Sequence, residues 1–232
     1  MSIEEQAAEM KLTAPQLAAA GGEKRSAALT AIAKALEEHR EEIFAANKKD
    51  LAAAKEKNVS PQIMKRLKFD EGKLTSCLEG IRQLAAMPDP VGKVLLKRQL
   101  DEGLILKRIS VPIGVIGVIF EARPDALVQI SALCIRSGNC AILKGGSETA
   151  LSNRTLFDII NNAAVSAGLP AGCLYQAESH SDIDELLRCD GSVDLLIPRG
   201  SNAFVRYIMD HTKIPVMGHA EGVCHVYVDR DA

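Results

Sequence analysis

Residues 114–146, GVIGVIFEARPDALVQISALCIRSGNCAILKGG, decide the fold. The stretch opens on an apolar run (114–120), crosses a helix-patterned segment (125–136) and closes on a second apolar run (140–144). Short apolar runs joined by a helix read as buried parallel strands with a crossover between them. Two more such runs follow, CLYQA (173–177) and VDLLIP (193–198), with helices expected at 149–167 and 181–188. The βαβαβ order predicts an α/β fold with a parallel, Rossmann-type sheet. Such a sheet takes its ligands at the carboxyl ends of its strands, where helix N-termini offer free N–H groups and a partial positive charge.

Two strand ends carry ligand-type residues. Lys144 closes the second run, and Gly145 and Gly146 leave the backbone beside it bare, so that a ligand can approach closely while the lysine meets its hydroxyls or phosphate. An ordinary strand-to-helix turn would read the same way. In LIPRGSNAFVRYI (196–208), Gly200 frees the turn and Ser201 or Asn202 can cap the next helix, whose N-terminus would attract a phosphate. No G-x-G-x-x-G follows the first strand, since Gly114 and Gly117 are too few and badly placed; a standard dinucleotide fingerprint is lacking.

Upstream the texture differs. Residues 1–92 are rich in Ala, Leu, Glu and Lys, and Leu29, Ile32, Ala33, Leu36, Ile43 and Phe44 recur at helical spacing. Ser60 and Pro61 mark a helix start, and MPDPVG (87–92) a stop. Residues 93–111 alternate around Asp101-Glu102-Gly103 and predict a β-hairpin whose long exposed edges call for cover by another subunit. The expected division is therefore a helical region (1–92), a β-hairpin suited to pairing with another subunit (93–111) and a ligand-binding α/β domain (112–232).

Composition narrows the classes. Lys and Arg number 28 against 30 Asp and Glu, a net charge of -2, which gives no bulk attraction to nucleic acid or membrane. The six cysteines form no C-x-x-C pair and lie mostly in apolar runs, which fits a reducing compartment. With neither a basic leader nor a membrane-length apolar window, a cytoplasmic location is expected. Histidines and carboxylates show no metal-ligand spacing, so no metal is expected.

The strings VPIGVIGVIFEARPDAL, SGNCAILKGGSETALSN, GLPAGCLYQAE, LIPRGSNAFVRYI and PVMGHAEGVCHVYVD, in this order, resemble the γ-glutamyl phosphate reductase family of the aldehyde dehydrogenase superfamily. The resemblance covers essentially the whole chain. It implies NADPH-dependent reduction of L-glutamate 5-phosphate to L-glutamate 5-semialdehyde with release of phosphate, in L-proline biosynthesis. It also implies a homo-oligomer through the hairpin and the upstream glutamate 5-kinase as a partner, and it makes residues 93–111 the oligomerisation hairpin and 112–232 the NADP-binding Rossmann-like domain. Carried over by position, Lys144 would meet the adenosine ribose or its phosphate, Ser147 would face the 2′ position with Glu148 directed elsewhere, and Gly200 and Ser201 would hold the pyrophosphate. Val216 stands where the superfamily has a glutamate base that hydrolyses thioesters, a loss that suits a reductase. The nucleophilic cysteine, and with it the catalytic domain, is expected beyond Ala232; Cys224 reads as a core residue of a strand with Val223, His225 and Val226.

Arg123, in EARPD, is a candidate for gripping a substrate carboxylate or phosphate, or else for an ion pair with Glu121 or Asp125. His219 is a candidate active-site contact or a histidine satisfying backbone groups. Two other functions remain: a nucleotide-binding or oligomerisation module without turnover, and another acylating aldehyde dehydrogenase, against which EARPD weighs.

Overall fold

The computed structural model describes residues 2–178, 182–218 and 225–231. Helices α1 (Ile3–Ala19), α2 (Gly22–Glu38), α3 (Arg40–Glu56), α4 (Pro61–Leu67) and α5 (Glu71–Ala86) precede the first strand. Their starts are encoded locally. Ser2 and Glu5 form a capping box at α1, each side chain accepting the other's backbone N–H. Asp70 accepts the Lys73 N–H at the start of α5. Ser60 and Pro61 do open α4, but the Ser60 hydroxyl makes no capping bond. The helical repeat of Leu29, Ile32, Ala33, Leu36 and Ile43 carries all five side chains into the core, each large one contributing roughly 1.5–3 kcal/mol.

The hairpin consists of β1 (Val94–Asp101) and β2 (Leu104–Ile109). Asp101 lies opposite Leu104, so Glu102 and Gly103 make the turn, with Gly103 at a φ of 73°. Register shifts between Val94 and Leu96 and between Gln99 and Asp101 break the alternation of side chains. Every residue of both strands is exposed, the leucines included. The stem is tied down where Gly92 N–H donates to the Ser110 carbonyl and Ser110 Oγ to the Pro90 carbonyl. Just before it, Asp89 accepts two bonds from the Arg25 guanidinium, at 3.0 and 2.9 Å. Arg25 is only 1% exposed and also donates to the Ala18 carbonyl at the end of α1.

The four apolar runs are all strands, within two residues of their expected bounds: β3 (Val115–Ile119), β4 (Cys140–Lys144), β5 (Leu174–Ala177) and β6 (Leu195–Pro198). They pair in parallel in the order β5-β4-β3-β6. The intervening helices are α6 (Pro124–Ser137), α7 (Ala150–Ser166) after one 3₁₀ turn (Ser147–Thr149), and α8 (Asp182–Leu186); α9 (Asn202–Asp210) follows β6. Strand succession runs one way from β3 to β5 and then returns past β3 to β6. Right-handed crossovers consequently put α8 on the opposite face from α6 and α7. The N-terminal helices complete both layers: α1 packs on α8, β3 and β4, and α2 on α6 and α7. One cluster of buried apolar side chains accordingly runs from α1 through the sheet to Ile208 of α9. Gly117 belongs to that packing, since a side chain there would collide with Leu196 of β6.

Beyond β6, Val216 makes a single parallel bridge to Leu196. The strand expected around Cys224 is not formed at 225–228, where Val226, Tyr227 and Val228 are strongly exposed and pair with no strand among the described residues. Val223, Cys224 and Ala232 lie outside the described residues. Among the described residues no helix is long and apolar enough to cross a membrane.

Candidate functional site

A cleft of about 340 Å³ lies at the carboxyl ends of β3, β4 and β6. It sits where strand order reverses, because the loops after β3 and β6 leave in different directions and open a crevice between them. Ile119 and Phe120 at the end of β3, the segment from Lys144 to Glu148, and Arg199 after β6 line it.

Lys144 is the last residue of β4 and is 5% exposed. Its Nζ donates to the Gly145 carbonyl at 3.0 Å. Burial pulls its pKa below the usual lysine value, while the carboxylates of Asp182, Glu148 and Glu178 pull it back up. Glu178 is itself fixed by Arg154, whose Nε donates to it at 2.7 Å; this bond holds the Glu178 carboxyl below its ordinary range. The three carboxylates thus favour the charged form of the lysine against its burial.

The bare backbone beside it has an internal cause. A Cβ on Gly145 would run into the Asn153 amide of α7, and one on Gly146 would meet the Glu148 carboxylate. Asn153 is buried, its Nδ2 donating to Thr149 Oγ1 at 2.9 Å, and its Oδ1 has no partner. Glu148, expected to point elsewhere, instead turns back over Gly146 into the cleft. The cause is the 3₁₀ turn, in which Thr149 N–H and Oγ1 both donate to the Gly146 carbonyl and reverse the chain. Ser147 stays exposed at the rim.

On the other side of β3, Arg199 N–H donates to the Ile119 carbonyl at 2.8 Å, prolonging the β3–β6 pairing by one residue. Gly200 then turns the chain; a side chain there would press on Phe204 and Glu121. Ser201, not Asn202, is the cap, its hydroxyl accepting the Phe204 N–H at 3.3 Å. The turns at 144–147 and 200–201, 53 positions apart in sequence by their last and first members, therefore close on the same end of one sheet.

The aldehyde dehydrogenase family model matches residues 1–232. The chain belongs to the aldehyde dehydrogenase family. It is 51% identical over 232 residues to the γ-glutamyl phosphate reductase of Acetivibrio thermocellus, covering 100% of this chain and 54% of that protein. The crystal structure of γ-glutamyl phosphate reductase from Saccharomyces cerevisiae superposes with a TM-score of 0.88 at 42% identity, over 96% of this chain and 57% of that one. The enzyme of the same name from Thermotoga maritima gives 0.88 at 29% identity, over 92% and 52%. The chain spans about half the length of the curated relatives it matches.

In this aldehyde dehydrogenase-family chain Arg123 precedes α6 and reaches Asp125 at 3.5 Å, the ion pair read as one of its two alternatives. Its guanidinium remains largely exposed. His219 lies outside the described residues. Cys77, Cys134, Cys140, Cys173 and Cys189 are all buried, and burial pushes their thiols up, Cys134 and Cys140 to about 12 and the other three to about 11. Cys134 does sit on the apolar face of α6, as its spacing indicates.

Sequence reasoning passed over Arg66, Glu121 and Arg199 as lining residues. Arg199 and Glu121 had a usable signal, since each lies one or two positions past a strand end. Arg66 had none: it comes from α4, and only the packing of the helical layer brings it to the cleft.

Proposed function

We propose that the chain holds NADPH across this cleft, as the cofactor-binding part of an enzyme that reduces L-glutamate 5-phosphate to L-glutamate 5-semialdehyde and releases phosphate in L-proline biosynthesis. The observation that carries the reading is the meeting of the two ligand-type turns at the sheet's reversal, in a chain about half identical throughout to γ-glutamyl phosphate reductases. In this reading Gly200 and Ser201 take the pyrophosphate at the N-terminus of α9, where unpaired N–H groups and the helix dipole favour an anion. Lys144 takes the adenosine ribose or its phosphate, and Ser147 stands at the 2′ position. When bound, the cofactor supplies the hydride. Arg123, and His219 with it, remain candidates for the substrate side.

Reduction of an acyl phosphate by this route calls for a thiolate nucleophile. The five described cysteines are protonated and buried, which suits none of them to that part. Among the described residues, then, the site offers cofactor binding without a nucleophile. The upstream glutamate 5-kinase would supply the acyl phosphate, and a second copy of the chain would cover the hairpin.

Calorimetric titration with NADPH and NADH tests the reading. Ser147→Glu is expected to weaken NADPH by about 1–3 kcal/mol, the scale of a disturbed charge-assisted hydrogen bond, with little change for NADH. Glu148→Gln, which removes the carboxylate beside Lys144, is expected to tighten NADPH. A wild-type chain that binds neither cofactor would sink the proposal, and equal losses for both cofactors in Ser147→Glu would move the 2′-phosphate to another contact.

A further inference from the structure

Several charged side chains of the helical layer are matched in pairs, such as Arg40 with Glu71 and Arg82 with Glu37. Beside the cleft the matching fails. Lys65 and Arg66 from α4, Lys73 from the first turn of α5 and Arg123 from the turn after β3 line one cavity of about 370 Å³ together with Gln62. Among the described residues the carboxylate paired with this group is Asp125, which takes Lys73 Nζ at 3.1 Å and Arg123 at 3.5 Å. Neither Lys65 nor Arg66 has an ion pair among the described residues. Of the four cations two are paired, both with Asp125, while Glu121 shares the main cleft with Arg66 and Asp70 lines a neighbouring cavity with Lys73. The N-terminus of α6 lies at the same place, so the partial positive charge of a fourteen-residue helix adds to that of the cations.

Like charges gathered this way repel each other, and an anion between them turns the repulsion into attraction. Arg123 is free to serve. Its 3.5 Å approach to Asp125 is longer than the roughly 2.7–2.9 Å of a charge-assisted hydrogen bond, so its planar donor fork is available to a carboxylate or phosphate. Arg66 lines both this cavity and the main cleft, which makes the basic pocket a side chamber at the carboxyl end of β3.

We infer that this chamber is an anion-recognition site that takes the phosphate or the carboxylate of the small acyl phosphate substrate on Lys65, Arg66, Lys73 and Arg123. The identity of the ligand rests on the proposed function; the existence of the anion site does not. A phosphate could also come from the 2′ position of the cofactor, and the two sources separate experimentally.

The 232-residue chain is titrated with inorganic phosphate, NADPH and NADH, before and after the double substitution Lys65→Gln, Arg123→Gln. Both side chains are exposed, and thermal unfolding of the variant checks that the fold is kept. Expected is phosphate binding to the wild type that weakens with added salt and falls at least tenfold in the variant, with NADPH affinity within twofold. Phosphate binding that is absent from the wild type, or equal in the two proteins, overturns the site. A tenfold loss of NADPH affinity with NADH unchanged overturns the substrate assignment and makes the chamber the reader of the cofactor's 2′-phosphate. If the wild type binds phosphate as expected but no NADPH, the anion site stands and the proposed function falls.

Discussion

Strands β4 and β1 both open on apolar runs and meet opposite fates. All of Cys140–Lys144 is buried; all of Val94–Asp101 is exposed. β4 has a strand on each side and helices packed around it, whereas β1 has one strand neighbour. Apolar content therefore does not place a strand in a core. What does so is the number of faces and edges that the rest of the chain can cover. A two-stranded ribbon with exposed leucines on both faces is marginal in water.

The contrast is broken most directly by cutting one side chain from each region. Ile142→Ala, at a fully buried position of β4, is expected to destabilise the chain by about 2–5 kcal/mol, through lost burial plus the cavity left behind. Leu100→Ala, at a position 55% exposed, is expected to cost far less. Denaturant unfolding of the two variants decides. Equal losses would mean that the hairpin leucines are buried in solution, whether by the same chain or by a second copy.

The joint between the two regions ranks next. Asp89→Asn leaves the buried Arg25 guanidinium without its counter-charge, and a loss of about 3 kcal/mol is expected. The pH dependence sharpens the test. Burial alone would raise the Asp89 carboxyl, but the Val91 N–H and Arg25 outweigh it and hold the group below its usual 3.8. A carboxyl with a depressed folded-state pKa stabilises the fold above the unfolded value and loses that stabilisation as pH falls through the folded one. Wild-type stability should thus drop below about pH 4 more steeply than that of Asp89→Asn, whose amide does not titrate. Parallel pH profiles would show that the pair does not anchor the stem.

How far these features were legible follows from what each depends on. The strands β3 to β6 and the helix starts at Ser2 and Pro61 rest on a few neighbouring residues, so periodicity and punctuation suffice to read the strands and the Pro61 start. The convergence of Lys144 with Gly200 and Ser201 was legible as well, because a parallel sheet brings successive strand ends together whatever its side chains are. Glu148 was misread because a single 3₁₀ turn decides which way it faces. Gly145 reads from the sequence as a place of close ligand approach, and the structure adds a packing reason, since a Cβ there would meet Asn153, eight positions on. The cluster of Lys65, Arg66, Lys73 and Arg123 could not be read at all. It exists only because α4 and α5 pack beside the loop after β3, and no local pattern records that.

The smallest expected change in stability belongs to the hairpin itself. Substituting Leu96, Leu100 and Leu106 by Ser removes apolar area that the chain alone leaves in water, so each change should stay within about 0.5 kcal/mol for the isolated protomer. If a second copy covers the ribbon, the same triple variant should lose assembly: light scattering would report a smaller species, and the melting temperature would no longer rise with protein concentration as it does when association stabilises the fold. The pairing would bury leucines from both faces, because the two register shifts have already spoiled a one-sided apolar surface. A variant of unchanged mass and unchanged concentration dependence would place the contact between copies elsewhere and leave the exposed leucines without that explanation.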